Sequence, residues 1–347
     1  MSDKVEVGSA AGFAPLRVKR VVRETADAVS LVLDVPEHRA SDFRYQAGQF
    51  LTLRVTVDGQ ELRRCYSMSS APVEDDLQIT VKRDAGGLVS NWLNDTVAEG
   101  AELDAAPPVG RFVLRDNTET TDELVAFAGG SGITPIISLV RTVLANSGRR
   151  IRLFYANRAR DSVIFARALA ELAEAHADRL VVVHHFDDDS GVVTPAVIEK
   201  FIADSGDADY YICGPAPFMD TVEDSVVTSG VPSSRVHLER FKVAPVPVET
   251  TEDSGTHTDE VIIELDRKTT VATYRAGNTL LQTARMAGLR APSSCETGSC
   301  GTCMAKVVEG TAKMLNNDAL EEDEVAEGWV LTCQTLPTSP TVRVVYE

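Results

Sequence analysis

The sequence predicts a multidomain protein of β and α/β character: an antiparallel sheet or barrel, then a parallel sheet with helices on its faces, then a small domain built around cysteines. Three observations carry this reading. Apolar residues alternate from Leu16 to about Leu114, the pattern changes to strand, helix, strand from Leu124 onward, and four of the six cysteines fall in the last 53 residues. At 347 residues the chain is long enough for two or three separately cored units, since a typical domain holds about 100 to 150 residues.

The first part shows the period of half-buried strands. Apolar residues recur at every second position in Val29, Leu31, Leu33 and Val35 and again in Leu51, Leu53, Val55 and Val57, and turn signals such as Asp58-Gly59 separate the runs. In the second part, Leu124 to Ala128 reads as a strand before a Gly-rich turn, and Ile136, Leu139, Val140, Val143 and Leu144 mark one face of a helix. Further strands are predicted at Ile151 to Ala156, Leu180 to Phe186 and Tyr210 to Cys213, with helical stretches between them; that alternation implies a parallel sheet. Ala244 to Asp259 is rich in Pro, Thr, Ser and acid and has no apolar period, so it reads as an extended linker. The predicted boundaries are 11–117, 118–243, a linker at 244–258, and 259–347.

Composition narrows the function. With 44% hydrophobic and 25% charged residues the chain can fill its cores. Its 34 Lys and Arg against 52 Asp and Glu give a net charge of -18, which repels phosphate backbones and anionic lipid, so nucleic acid and membrane are not expected as partners and a basic protein face is. No run approaches the roughly 18 to 20 apolar residues of a membrane span. Residues 1–14 lack the cationic flank and apolar core of a secretory signal, and the expected location is the cytoplasm, where the cysteines stay reduced.

Cys295, Cys300 and Cys303 follow the spacing C-x4-C-x2-C, with Cys333 downstream, which is the spacing of plant-type 2Fe-2S ligands. Gly298 and Gly301 let the loop wrap closely, and Ser293, Ser294, Thr297, Ser299 and Thr302 add small polar groups. Structural zinc prefers C-x2-C pairs at both ends, and only one such pair exists here. From Val261 to Thr335 the sequence resembles the plant-type ferredoxin domain, which implies a β-grasp fold. The resemblance predicts a helix from about Thr279 to Ala287, with Asn278 as its N-cap.

Two further motifs occur upstream. Arg64-Cys65-Tyr66-Ser67, then Val81-Lys82-Arg83, then Gly86-Gly87-Leu88-Val89-Ser90 resemble the flavin domain of the ferredoxin-NADP reductase superfamily. On that resemblance the FAD site comprises Arg64, Tyr66, Ser67, Val81, Lys82, Gly87, Val89 and Ser90. Tyr66 offers an aromatic face, Ser67 a donor near the reactive nitrogen, and Arg64 with the Gly-Ser helix start holds the pyrophosphate. A Tyr and a Ser on a strand are otherwise a packed ring and a solvated hydroxyl; the helix start at the right interval alters that reading. Cys65 sits at a variable position and reads as filler.

Gly129-Gly130-Ser131-Gly132-Ile133-Thr134-Pro135 lies between strand and helix, and Cys213-Gly214-Pro215-Ala216-Pro217-Phe218-Met219 repeats the arrangement. Two such loops at one sheet edge define a crevice. Both resemble the nicotinamide domain of the same superfamily, a Rossmann-like parallel sheet, with Thr134 and Cys213 near the flavin and the nicotinamide ring. Ser67, Thr134 and Cys213 are the expected catalytic residues; Gly130, Ser131, Gly132, Thr134, Asn157, Arg158, Gly214, Pro215, Phe218 and Phe241 complete the cofactor-binding set. Arg158 and Arg160 permit NADPH, while Asp161 pulls toward NADH. Glu239 and Phe241 are placed on the strand that closes this sheet. His184 and His185 lack partners at metal-ligand spacing and read as structural. The acidic run Glu321, Glu322, Asp323, Glu324 and Glu327 reads as a solvated face or a docking patch.

The order of the three modules resembles the reductase components of multicomponent oxygenases, and over almost the whole chain the 3-ketosteroid 9α-hydroxylase reductase family. The resemblance implies a monomeric oxidoreductase that passes electrons from NADH to FAD to a 2Fe-2S cluster and on to a Rieske-type terminal oxygenase. The rival within the class is an NADPH-dependent reductase of the phenylacetyl-CoA epoxidase type. From another class, the chain could be a redox-sensing protein without turnover.

Overall fold

The strand-period half of the chain folds as six strands: β1 (Ala14–Thr25), β2 (Ala28–Asp34), β3 (Phe50–Val57), β4 (Gln60–Ser67), β5 (Leu77–Lys82) and β6 (Glu102–Val109), with helix α1 (Leu88–Thr96) before the last. The computed structural model describes residues 12–74, 76–114, 123–241, 258–298, 300–317 and 319–346. The sheet order is β4-β3-β6-β1-β2-β5. Beyond the end of β4, Met68 bridges Ile79 and the Ser69 N–H donates to the Gln78 carbonyl (2.8 Å), so the two outer strands meet and the antiparallel sheet closes as a barrel.

The alternating residues fill this barrel: Leu16, Val18, Val29, Leu31, Leu33, Leu51, Leu53, Val55 and Ile79 form one buried cluster. Each such side chain contributes about 1.5 to 3 kcal/mol by leaving water. Val89 and Leu93, one turn apart on α1, join the same core and fix the helix against the barrel. The turn at Asp58-Gly59 has φ of 51° and 77°, the paired positive values of a two-residue hairpin whose twist matches its strands.

The second part alternates as its pattern requires. It runs β7 (Glu123–Gly129), α2 (Ile133–Asn146), β8 (Arg150–Asn157), α3 (Ala166–Ala175), β9 (Leu180–Phe186), α4 (Asp187–Ser190), α5 (Pro195–Ile202), β10 (Ala208–Cys213), α6 (Ala216–Thr228) and β11 (Val236–Glu239). All pairings are parallel in the order β11-β10-β7-β8-β9. Ile136, Leu139, Val140, Val143 and Leu144 are buried in the core on one face of the sheet, and Ile198, Met219, Val222 and Val226 in that on the other. Because β8 and β9 lie to one side of β7 while β10 and β11 lie to the other, the chain reverses direction between β7 and β10, and a crevice opens there at the carboxyl ends. Barrel and parallel sheet form one compact unit. The Ser138 hydroxyl on α2 donates to the Ser70 carbonyl (2.6 Å) across it.

Residues 258–346 form the second unit: β12 (Glu260–Leu265), β13 (Lys268–Thr273), α7 (Leu280–Met286), β14 (Met304–Glu309), β15 (Ala312–Met314), α8 (Glu322–Ala326), β16 (Trp329–Leu331), β17 (Thr335–Pro337) and β18 (Thr341–Val345). The main sheet runs β13-β12-β18-β14-β16, with its first and last long strands, β12 and β18, paired in parallel. Helix α7 covers it with Leu280, Leu281 and Ala284, which is the expected β-grasp arrangement.

Three expectations need correction or a limit. The helix expected at Thr279 to Ala287 spans Leu280–Met286, and its N-cap is Thr279 rather than Asn278. Thr279 Oγ1 accepts from the Gln282 N–H (3.2 Å) and Gln282 Oε1 accepts from the Thr279 N–H (2.8 Å), a reciprocal capping box. Strand β11 ends at Glu239, so Phe241 lies beyond it and is 47% exposed; packing does not account for its ring. The linker lies outside the described residues except for Thr258.

Candidate functional site

Ser67 ends β4 opposite Phe50, one residue before the barrel seam. It is buried, and its Oγ has no hydrogen-bond partner among the described residues, so a donor is held ready in a dry position. Tyr66 packs its half-buried ring on the barrel core, and burial pushes its phenol well above the ordinary range. Arg64, two residues back and hence on the same strand face as Tyr66, donates to the Arg63 carbonyl (2.7 Å). Cys65 packs its thiol 3.6 Å from Thr52 Oγ1, in keeping with filler.

At the start of α1, Gly87 is the N-cap residue, and a Cβ there would meet Ser90 Oγ at 2.5 Å. Ser90 Oγ accepts from the Asp84 N–H (3.1 Å), so this hydroxyl builds the turn as well as facing it. Val81 and Val89 point into the barrel core. Only their backbone groups are available to a ligand, and the Val81 carbonyl already accepts from Asn94 (3.2 Å).

The two Gly-rich loops meet at the carboxyl ends of the neighbouring strands β7 and β10, where Ala128 pairs with Cys213. A Cβ on Gly132 would overlap the carbonyl of Cys213, and one on Gly129 would strike Pro215 and Phe218. Phe218 also lies against Gly214, so its half-buried ring covers both glycines. The Gly130 carbonyl accepts from the Tyr155 hydroxyl (3.1 Å), and Thr134 Oγ1 donates to the Ser131 carbonyl (3.1 Å). Lys82, at the end of β5, brings its Nζ to 3.8 Å from where a Cβ on Gly130 would stand. The barrel's flavin-type motif and the sheet's Gly-rich loop therefore share one edge.

Cys213 is fully buried; burial first and the nearby Glu239 second push its thiol well up, so it is a neutral side chain and not a thiolate at neutral pH. Asn157 is buried at the end of β8, and Arg158 beside it is exposed. His185 is satisfied by the Gly191 carbonyl (2.8 Å), as a structural histidine should be. His184 stacks on Phe186 (5.7 Å), and burial, then Arg160, lower its pKa.

In the second unit the four cysteines Cys295, Cys300, Cys303 and Cys333 are all buried. Among the described residues no three Cys, His, Asp or Glu side chains converge on one shared ion position. The four thiols act on one another, most strongly Cys295 with Cys300 and Cys303 with Cys333. Contact with Cys295, then burial, raises the pKa of Cys300, and contact with Cys303 raises Cys333 while lowering Cys303 itself. The Thr297 N–H points at Cys295 Sγ and the Thr302 N–H at Cys300 Sγ, each at 3.4 Å. Gly298 and Gly301 take φ of 91° and 73°, which the close wrapping of the loop requires. Ser299 lies outside the described residues.

Several bracing residues emerge only from the fold. Arg285 on α7 pairs with Glu296 (2.6 Å) and donates to Ser293 Oγ (2.7 Å); Gln334 Nε2 donates to the Glu296 carbonyl (2.8 Å); Asn316 Nδ2 donates to the Thr297 carbonyl (2.7 Å). Gln334 adjoins Cys333, the one sequence signal available for it. Nothing in the sequence marks Arg285 or Asn316, which reach the loop only through the tertiary structure.

Comparison with known proteins agrees with this division. Residues 15–114 match the oxidoreductase FAD-binding domain, 127–224 the oxidoreductase NAD-binding domain, and 263–338 the 2Fe-2S iron-sulfur cluster binding domain. The chain is 37% identical to the ferredoxin reductase component of 3-ketosteroid-9-alpha-monooxygenase from Rhodococcus rhodochrous, over 98% of this chain and 99% of that one. It is 32% identical to one of the subunits of 1,2-phenylacetyl-CoA epoxidase from Escherichia coli K12, over 96% and 98%. Among solved structures, phthalate dioxygenase reductase is similar with a TM-score of 0.62 and 28% identity, over 96% of this chain and 98% of that one. No helix among the described residues is long and apolar enough to cross a membrane. With 37% identity to such a component over nearly its whole length and all three domains in place, the chain belongs to the family of oxygenase reductase components, oxidoreductases with FAD-binding, NAD-binding and 2Fe-2S domains that serve an oxygenase partner.

Proposed function

We propose that this chain draws electrons from NADH and delivers them singly to a Rieske-type terminal oxygenase, and that the oxygenase is the 3-ketosteroid 9α-hydroxylase named for its relatives. The observation that carries the reading is the shared edge, where Lys82 of the flavin-type barrel lies beside Gly130 of the nicotinamide-type loop. Domains at 11–117, 118–243 and 259–347, joined by a linker at 244–258, would then hold FAD, NADH and the cluster in order. FAD and a 2Fe-2S cluster, when bound, supply the conversion of a hydride's electron pair into two single electrons.

The chain's own residues supply position and environment. Ser67 presents an unused hydroxyl where a flavin ring nitrogen needs a donor, Tyr66 offers a ring face, and Arg64, Lys82, Gly87 and Ser90 stand for the pyrophosphate side. The Gly130-Ser131-Gly132 turn with Thr134, and Gly214-Pro215 under Phe218, leave backbone close to a dinucleotide at the switch point. Cys213 stays protonated with its thiol in the core beneath the crevice, and only its main chain meets the Gly-rich loop. The pairs Cys295 with Cys300 and Cys303 with Cys333 suit two irons with two thiolates each, and the N–H groups of Thr297 and Thr302 would tune them. Phe241, exposed beyond β11, is free to cover a ring. A monomer in the cytoplasm fits the reduced cysteines and the acidic surface.

The test is reconstitution. The holoprotein should bleach on addition of NADH and support 9α-hydroxylation of a 3-ketosteroid with its oxygenase. Cys300→Ser should keep NADH-driven reduction of ferricyanide and lose more than about 90% of electron delivery to the oxygenase. Unimpaired delivery by the variant would remove the cluster from the path. Support of a phenylacetyl-CoA epoxidase oxygenase instead would replace the steroid assignment.

A further inference from the structure

We infer that the ion pair between Asp189 and Arg160 sets the chain's preference for a nicotinamide without a 2'-phosphate. The inference rests on the reading above, in which the carboxyl edge of the parallel sheet holds NADH, and it names what that edge does with the adenosine end of the ligand. In folds of this kind the ribose 2' position falls beyond the end of the second strand, where a carboxylate favours a free hydroxyl and an arginine a phosphate.

Here the second strand is β8, and the segment after it carries Arg158, Arg160 and Asp161; the adjacent strand β9 delivers Asp187, Asp188 and Asp189 to the same edge. The two segments are tied together, since the Asp188 N–H donates to the Arg158 carbonyl (3.1 Å). Arg160 would be the natural phosphate ligand, but its guanidinium is committed. It bonds Asp189 Oδ2 at 2.8 Å and lies over the Phe186 ring at 4.5 Å, a buried ring on which His184 also stacks. Arg158 is exposed, and segments 158–161 and 187–189 together carry four carboxylates against two guanidiniums, its own included. His184 adds no compensating positive charge, because burial and Arg160 itself favour its neutral form. A dianionic 2'-phosphate would therefore meet a net negative rim whose best cation is already neutralised, whereas a 2'-hydroxyl has carboxylate acceptors at hand.

Both partners lie at the surface, with side chains 74% and 53% exposed, so truncating either leaves the fold intact. The pair's own contribution to stability is small for the same reason. Its effect is on what Arg160 is free to bind.

The experiment uses the full-length holoprotein and two small probes, AMP and 2'-phospho-AMP, measured by calorimetry, alongside flavin reduction by NADH and NADPH. Asp189→Ala should tighten 2'-phospho-AMP about tenfold, equivalent to about 1.4 kcal/mol, and improve kcat/KM for NADPH by a similar factor. AMP binding and kcat/KM for NADH should change less than about threefold. Adding Arg160→Ala to Asp189→Ala should abolish the gain. If Asp189→Ala leaves 2'-phospho-AMP unaltered while AMP still binds, the ion pair carries no selectivity and the inference fails alone; if neither probe binds the holoprotein competitively with NADH, the edge is not the adenosine site and the underlying reading fails with it. If Asp189→Ala alters both by one factor, the edge is right and the ion pair carries no selectivity, which overturns the inference alone.

Discussion

Ser67 stands out in the sequence because a Tyr-Ser pair ends a strand, and the fold gives it the property the chemistry needs: a buried hydroxyl with no bond of its own among the described residues. Replacing it by Ala removes a donor without stranding a partner, so Ser67→Ala should leave thermal stability within about 0.5 kcal/mol. Removing a donor aimed at developing charge costs on the order of 100-fold, and flavin reduction by NADH in stopped flow should slow by about 10- to 100-fold. Unchanged reduction would assign Ser67 to packing. Other residues are legible in type and not in use. The motif has Ser90 offer its hydroxyl to a pyrophosphate, yet that oxygen also holds the Asp84 N–H, because a residue one turn into a helix reaches back to the turn before it. Phe241 reads as part of a strand, and the strand stops two residues earlier. Asp189 and Arg160 are invisible as a pair, since 29 positions separate them and only the parallel pairing of β8 with β9 joins them.

At the scale of elements, periodicity is the strongest signal. The alternating residues of β2 and β3 and the helical spacing in α2 mark side chains that fill the cores, although β2 is buried on both faces, so that Ser30 and Val32 are enclosed as well and the alternation does not separate a wet face from a dry one. Ends are less legible. Asn278 and Thr279 are both good caps, and the choice falls to Thr279 because Gln282 stands three residues on and completes the box. Two hairpins show the same contrast in turn chemistry. The β3–β4 turn uses Asp58-Gly59, whereas the β12–β13 turn places Asp266 and Arg267 at φ of 52° and 62°, a left-handed conformation that costs an ordinary side chain about 1 to 2 kcal/mol. Glycine avoids that cost but adds about 0.4 to 1 kcal/mol of freedom to the unfolded chain. Arg267→Gly should therefore stabilise the cysteine-bearing unit by up to about 1 kcal/mol, seen as a raised midpoint in chemical denaturation followed by the cluster's absorbance. A lowered midpoint would mean that the arginine side chain makes a contact worth more than the strain.

For the whole molecule, the charge of -18 is the property most open to test. Helix α8, with Glu322, Asp323 and Glu324, leads directly into β16 and so to Cys333, which places part of that charge on the unit that must meet the oxygenase. If a basic face of the oxygenase docks there, raising salt from about 0.01 M to about 1 M shortens the Debye length from about 30 Å to about 3 Å, and the second-order rate of electron delivery should fall by tenfold or more. Reduction of the flavin by NADH, itself an anion approaching an acidic protein, should not slow over the same range. A salt-independent delivery rate would assign the docking to apolar contact. The three-part architecture is legible because each part announces itself by a different signal: period two, strand-helix alternation, and cysteine spacing. Assembly of the first two into one unit is not, since it depends on contacts such as Ser138 with Ser70 that no local pattern encodes.

The meeting of Gly132 with the main chain at Cys213 and Gly214 bears on how such a protein diversifies. A crevice floor made of backbone against backbone offers nothing for substitution to act on, since any added carbon collides with a carbonyl that cannot move aside. Descendants of this chain that come to use a different electron donor must therefore be rewritten along the rim, at exposed positions such as Arg158, Arg160 and Asp189, where a single base change can alter charge without disturbing the core.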